Sequence, residues 1–128
     1  MHKSRLAGLI IDCRTDDLDE AARFWGEALG APPDFEANPA ESPYVTLQVA
    51  DGEPYLEVQS VEHDSRVHID IEADDIEAEV ARLEALGAKR IADIRNFVVL
   101  EAPTGQRFCV VPVERAGFDE NATQWENE

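Results

Sequence analysis

Apolar residues along this chain follow two alternating spacings. Leu6–Arg14 and Arg66–Glu72 are rich in Ile, Leu and Val and partly alternate with polar residues. That is the period of a strand with two unlike faces. Each run leads into a pair of aspartates, Asp16-Asp17 or Asp74-Asp75, and then into apolar residues three and four apart. This second spacing predicts helices over Leu18–Leu29 and Ile76–Leu86. The aspartates suit a helix start, where side-chain oxygens accept from unpaired N–H groups and negative charge meets the positive end of the dipole. Gly30 and Gly87 stand where helices end in a left-handed residue. The expected buried stripes are Ala22, Trp25, Ala28 and Leu29 on the first helix, and Ile76, Val80, Leu83 and Leu86 on the second.

Shorter strand patterns follow each helix. The first half offers Asp34–Glu36, Tyr44–Val49 and Tyr55–Ser60, with an Asp51-Gly52 turn before the last. The second offers Lys89–Asp93, Phe97–Glu101 and Arg107–Val113, with Pro103-Thr104-Gly105-Gln106 as the final turn. Each half therefore reads βαβββ. The halves also match in sequence: Ile11–Asp19 and Ile69–Glu77 share four of nine residues, and both helices close on Glu-Ala-Leu-Gly-Ala. A duplicated module over residues 5–61 and 66–113 explains both observations. The proline-rich segment Ala31–Pro43 predicts a loop bordering a pocket. Residues 116–128, polar and acidic, read as a flexible tail beyond a single domain over 1–115.

Composition narrows the setting. The 128 residues are 44% hydrophobic and 30% charged, which fits one soluble globular domain. No stretch approaches the ~18 apolar residues of a membrane span. Met1–Leu6 carries basic residues but no apolar secretion segment, so a cytoplasmic address is expected. Acidic residues number 28 against 11 basic ones, a net charge of −17. Such a surface repels nucleic acid and anionic membrane, whose binding needs cations. The scarcity of Lys suits either a high-salt cytoplasm or an Arg-biased proteome. Cys13 and Cys109 are far apart and make no metal motif by themselves.

The duplicated βαβββ unit carries Asp-Asp-Leu/Ile before each helix, Phe24-Trp25 within the first and the Pro103–Gln106 turn. With Ile11-Asp12-Cys13, Val58-Gln59-Ser60-Val61 and Arg66-Val67-His68-Ile69-Asp70, it resembles the vicinal oxygen chelate superfamily of glyoxalases, bleomycin-resistance proteins and extradiol dioxygenases. Small glyoxalase-like proteins are the nearest in pattern, and the resemblance spans residues 5–113. It implies an α+β fold in which tandem βαβββ repeats form a curled eight-stranded mixed sheet with helices outside and a concave pocket within. It also implies a small-molecule ligand and a homodimer. Metal-dependent relatives draw ligands from four strand positions, which fall here on Ile10, Glu57, His68 and Cys109. Ile10 offers no donor atom, and a Cys109 thiolate suits zinc rather than iron, manganese or nickel. The expectation is therefore a decayed metal site and no cofactor, with Glu57, His68 and Cys109 as the residual candidates for a divalent ion.

Strand alternation separates candidate site residues from core. Ile69 and Ile71 are expected against a helix, leaving His68, Asp70 and Glu72 on the opposite face. By the repeat, Ile11 and Cys13 lie under the first helix, leaving Ile10, Asp12 and Arg14. Leu56 and Val58 leave Tyr55, Glu57 and Gln59; Phe108 and Val110 leave Arg107, Cys109 and Val111. The candidate proton-transfer residues are Glu57, His68, Asp70 and Asp12. The candidate substrate-binding residues are Arg14, Gln59, Arg107, Cys109 and Trp25, although Trp25 on its helix also suits plain core packing. Asp12 and Asp70, equivalent in the repeat, would make an acid/base pair if they faced each other, because close carboxylates resist double ionisation. The alternative is an ion-pair network with Arg14, Arg107 or His68, and His68 equally suits a hydrogen-bonded structural role. Three functions stay open: a metal-independent small-molecule-binding protein with acid/base lyase activity, a metal-dependent glyoxalase or dioxygenase with a reduced ligand set, and a non-catalytic protein that sequesters a cationic drug.

Overall fold

Parallel strands cannot be joined by a tight turn, so a module that opens and closes on parallel strands must carry a crossover between them. Both modules do this. The computed structural model describes residues 1–126. Its elements are β1 (His2–Arg14), α1 (Leu18–Leu29), β2 (Pro33–Asp34), β3 (Tyr44–Leu47), β4 (Tyr55–Val61), β5 (Arg66–Ala73), α2 (Ile76–Ala85), β6 (Lys89–Ile94), β7 (Phe97–Glu101), β8 (Arg107–Pro112), α3 (Phe118–Asn121) and β9 (Thr123–Trp125). The α+β class and the tandem βαβββ order are as the pattern predicts, with mixed parallel and antiparallel pairing and nine strands rather than eight among the described residues.

The chain divides into two compact units, Gly8–Val67 and Met1–Ala7 with His68–Glu128. In the first, β4 pairs parallel with β1, β3 antiparallel with β4, and β2 antiparallel with β3. In the second, β8 pairs parallel with β5, β7 antiparallel with β8, and β6 antiparallel with β7. Asp17 and Asp75 cap α1 and α2 by accepting from the Glu20 and Ala78 N–H groups. Gly30 closes α1 at φ 67°, in the left-handed region.

In the Gly8–Val67 unit, α1 covers a core of Ile11, Ala22, Ala31, Val45, Leu47 and Val58, with Cys13, Trp25 and Leu56 packed against it. The buried stripe of α1 is rotated from the expected one. Ala28 and Leu29 are exposed, and Gly26 is buried in their stead. Pro33 causes the rotation: a Cβ on Gly26 would lie 2.7 Å from its Cδ, so only glycine lets the proline loop close on the helix.

In the other unit the core joins Ala73, Val80, Val98, Leu100 and Val110, flanked by Ile76, Leu83 and Phe108. Leu86, expected in the stripe, lies beyond the end of α2 and is exposed. β5 also departs from the alternation. Ile69 is 45% exposed, whereas Asp70 and Glu72 are buried. Glu72 can stay inside because its charge is fully engaged. Arg5 Nε lies 2.7 Å from Oε2, and the Glu114 and Arg115 N–H groups donate to Oε1 at 2.9 and 3.1 Å. Buried charge matched by hydrogen bonds in this way is tolerated.

The segment expected to fray is instead built into this unit. Arg5 donates to the carbonyls of Arg115, Ala116 and Gly117. Phe118 is buried, and β9 pairs antiparallel with His2–Ser4 of β1. Trp125 donates its indole N–H to Ser4 Oγ at 2.9 Å and lies under the Arg82 guanidinium at 3.8 Å. Two aromatic anchors suffice to hold an otherwise polar segment, and their partners are remote in sequence. Residues 127–128 of the expected tail lie outside the described residues.

Glu79 is wholly buried, with His2 Nε2 2.7 Å from its Oε1 and Arg82 donating to both oxygens at 2.8 Å. Burial alone would raise the Glu79 pKa, but hydrogen bonds from Arg82, His2 and Ser4 outweigh it and hold the carboxyl below the usual glutamate range. A lowered folded-state pKa stabilises the fold above the unfolded value and is lost as pH falls through the folded one. Urea stability should therefore decline more steeply on acidification below pH ~4.5 in wild type than in Glu79→Gln. Parallel acid profiles would rule this out. Truncating the Phe118 anchor in Phe118→Ala should cost about 3 kcal/mol in the same assay, whereas a detached tail would leave stability unchanged.

Candidate functional site

Residues opposite each other on paired strands share a face, so register alone builds two rows across the Gly8–Val67 unit. Ile10 stands beside Glu57, and Glu57 opposite Thr46. Asp12 stands beside Gln59, and Gln59 opposite Tyr44. Both rows lie on the face turned away from α1, since Ile11, Val58, Val45 and Leu47 point into the core. Half-buried Glu57 accepts from Thr46 Oγ1 at 3.3 Å, and Thr46 accepts from Asn38 Nδ2 at 3.0 Å. A loop residue thus steadies a hydroxyl, which steadies a carboxylate. Farther along, the Tyr55 ring lies over Gly8, where a Cβ would come within 2.2 Å of Cδ1.

Asp12 is buried, and its Oδ2 is 3.9 Å from Arg66 Nε. Arg14, one of its expected partners, pairs with Asp64 at 3.0 Å. Arg14 also borders a broad polar depression at the carboxyl ends of β1 and β4, with Thr15, Asp16, Ser60, Val61 and Glu62. The proline loop borders a second, mainly apolar hollow through Pro32 and Pro33, facing Gly26 and Arg23. Trp25 packs against the α1 core beside Cys13, its plainer reading. Burial pushes the Cys13 thiol up; a hydrogen bond with Trp25 opposes this and the Asp12 charge adds to it.

In the other unit, the parallel β5–β8 register sets Asp70 beside Cys109. His68 lies two residues before Asp70, with Nε2 3.5 Å from Asp70 Oδ1. One donor atom each from His68, Asp70 and Cys109 falls within 4.8 Å of the other two. Of the ion-pair partners proposed for Asp70, His68 is thus the one in place, while Arg107 turns to Glu101 at 3.3 Å. Glu114, just past β8, has its pKa raised by burial and then by the charges of Asp70 and Glu72. Within this unit the donor set is His68, Asp70 and Cys109. Nitrogen, carboxylate oxygen and sulfur donors in threes match a zinc site that keeps an open position. The four-position set read from the superfamily fails at Ile10, which has no donor.

Sequence reasoning did not single out Thr46, Asn38, Arg66 or Glu114. Thr46 was within reach: the Asp51-Gly52 turn sets the β3–β4 register that places it opposite Glu57. Nothing local links Arg66 to Asp12, which lie 54 positions apart.

The model of the glyoxalase-like domain family matches residues 8–111. No curated protein matches the chain. Solved structures do. A methylmalonyl-CoA epimerase in complex with methylmalonyl-CoA and ammonium is 18% identical, with a TM-score of 0.62 over 91% of this chain and 97% of that one. The methylmalonyl-CoA epimerase of Mycobacterium tuberculosis is 14% identical, with a TM-score of 0.61 over 85% and 88%. A hypothetical protein from Bacillus halodurans is 14% identical, with a TM-score of 0.60 over 97% and 99%. At such identities the likeness is one of fold, and the family match carries the assignment: this chain belongs to the glyoxalase-like domain family of the vicinal oxygen chelate superfamily.

Proposed function

We propose that this protein binds a small organic molecule against the Glu57 face of the Gly8–Val67 unit and transfers a proton on it, with Glu57 as the base. The observation that carries the reading is the Asn38–Thr46–Glu57 chain, which fixes a half-buried carboxylate beside apolar Ile10. A general base needs a fixed position within reach of the proton it takes. The Thr46 hydroxyl holds the carboxylate in place, and as the base that carboxylate would take a proton from a carbon beside a carbonyl. Returning that proton to the same or a neighbouring atom gives an epimerisation or isomerisation; if instead the carbanion's electron pair forms a double bond and expels a group from the adjacent carbon, the result is a lyase reaction. Gln59 and Tyr44, in the next row, supply polar contacts for the ligand.

The neighbours named for methylmalonyl-CoA suggest the same class of proton chemistry. Their ligand is a poor model for this one, because a charge of −17 works against a polyanionic thioester. A neutral or cationic carbonyl compound fits better. The same charge supports a second reading, in which a cationic ligand is held without turnover. The two free cysteines suit a reducing cytoplasm. No helix among the described residues is long and apolar enough to cross a membrane. Exposed Ile69 on β5 offers apolar surface for the homodimer we also propose, and sedimentation velocity should return twice the chain mass; a monomer would end that part of the reading.

Proton exchange tests the base. Candidate carbonyl compounds, including the methylglyoxal–glutathione hemithioacetal, are incubated in D2O and followed by NMR. Wild type should accelerate exchange at one carbon; Glu57→Gln should lower that rate at least about 100-fold, and Thr46→Val by about tenfold. Ligand-induced thermal stabilisation without exchange would favour the sequestering role. Equal rates for wild type and Glu57→Gln would remove Glu57 from the chemistry.

A further inference from the structure

We infer that Arg66 is a second catalytic residue of the Glu57 face: its guanidinium stabilises the negative charge that builds on the ligand's carbonyl oxygen, and Asp12 is the residue that positions it. The inference rests on Glu57 acting as the base. Its starting point is the scarcity of cations. Gly8–Val67 contains three basic residues, Arg14, Arg23 and Arg66. Arg14 is turned to Asp64 at 3.0 Å, and Arg23 stacks on the Phe35 ring at 5.0 Å. Arg66 is set differently. Its Nε lies 3.9 Å from Oδ2 of Asp12, a buried carboxylate on the face that carries Glu57. Its Nη2 lies 3.3 Å from His63 Nε2. His63 Nδ1 in turn lies 2.7 Å from the Asp64 carbonyl oxygen, which can only accept, so Nδ1 carries the proton and Nε2 accepts from Arg66. These two contacts orient the guanidinium, and with 47% of the side chain exposed a ligand can reach it.

Strand spacing fits the reaction. Asp12 follows Ile10 by two residues on β1, and Ile10 stands beside Glu57, so the Asp12 row lies about 6.6 Å from the Glu57 row. A carbon and the carbonyl next to it fit between a carboxylate in one row and a guanidinium over the other. When Glu57 takes the proton, the C–H electron pair becomes the carbon–carbon double bond of an enolate, and the carbonyl π pair moves onto oxygen. The negative charge that leaves Glu57 thus reappears on the ligand oxygen, beside Arg66. Reprotonation of carbon reverses each shift. A fixed cation aimed at charge that develops only as the proton moves speeds the reaction without tightening ground-state binding. Without Arg66 the Asp12 carboxylate would repel that same oxygen. Planar N–H donors make arginine better suited to this task than lysine, whose ammonium is a compact point charge.

The full chain is assayed in D2O with hydroxyacetone, a small neutral ketone, and hydrogen exchange is followed by NMR. Arg66→Ala should lower kcat about 100-fold and leave KM nearly unchanged. Arg66→Lys should fall between that variant and wild type. Free guanidinium at a non-denaturing concentration should restore part of the rate to Arg66→Ala and none to Glu57→Gln, a response that a merely structural role for Arg66 would not give. Asp12→Asn should lower kcat about tenfold alone and add nothing to Arg66→Ala, because it acts through the arginine. Arg90→Met, which removes an equal charge from a surface ion pair with Glu77 and Asp93, should leave the rate unchanged. Circular dichroism confirms that each variant is folded; if Arg66→Ala is not, Arg66→Lys carries the kcat test. Oxalate, a planar anion shaped like an enediolate, should bind wild type and lose at least about tenfold in affinity in Arg66→Ala. Exchange that Glu57→Gln abolishes but Arg66→Ala preserves, a loss in Arg66→Ala confined to KM, failure of guanidinium to restore any rate, or equal oxalate binding by wild type and Arg66→Ala would each overturn this proposal and leave the Glu57 reading intact. No exchange by wild type would end both.

Discussion

In each module the first strand runs parallel to the last, and the register between them decides which side chains meet. Because side chains alternate along a strand, a slip of one residue would turn every one of them to the opposite face. In the Gly8–Val67 unit this register sets Ile10 beside Glu57; in the other it sets Asp70 beside Cys109. The helices and remaining strands of each module fill the crossover that parallel pairing demands. Both candidate chemical groups, the carboxylate held by Thr46 and the His68–Asp70–Cys109 cluster, rest on that pairing. Duplication of the module thus gave two frames of the same design that now hold different residues.

Charge placement is the second constraint. The chain has 11 basic residues against 28 acidic ones. Several of those few cations face inward or lie at the margin of the core rather than balancing the surface. Arg5 and Arg115 converge on Glu72, and Arg82 grips Glu79 while stacking on Trp125. Buried carboxylates left without such partners would be strongly destabilising. The surface is left acidic as a result, which bears directly on what the protein can bind.

Much of this was legible in the sequence. The repeat, the two Asp caps, the glycine closing α1 and the strand order all follow from local pattern, because they depend on neighbours a few residues away. The faces of α1 and β5 were less legible. Gly26 carries no hydrophobic signal, yet the approach of Pro33 makes it the buried residue; Ile69 carries a strong one, yet Glu72 with its ring of donors takes the inside position. The ordered C-terminal segment escaped because its two anchors bind residues at the other end of the chain. The candidate sites were half legible: Glu57, His68, Asp70 and Cys109 came from alternation and resemblance, whereas Arg66 beside Asp12 is a contact that only the folded chain brings about.

The division of β1 between the two units has a bearing on how the molecule is made. Gly8–Val67 is one unbroken stretch, so its internal contacts can form without waiting for later residues. Residues 1–7 precede that stretch but belong with residues 68 onward, and β9 reaches His2–Ser4 only after the whole intervening segment has been translated. Closing so large a loop carries an entropic penalty that local contacts do not. Residues 1–7 therefore settle after the stretch that follows them, and a nascent chain halted short of Trp125 would lack the strand that pairs with His2–Ser4.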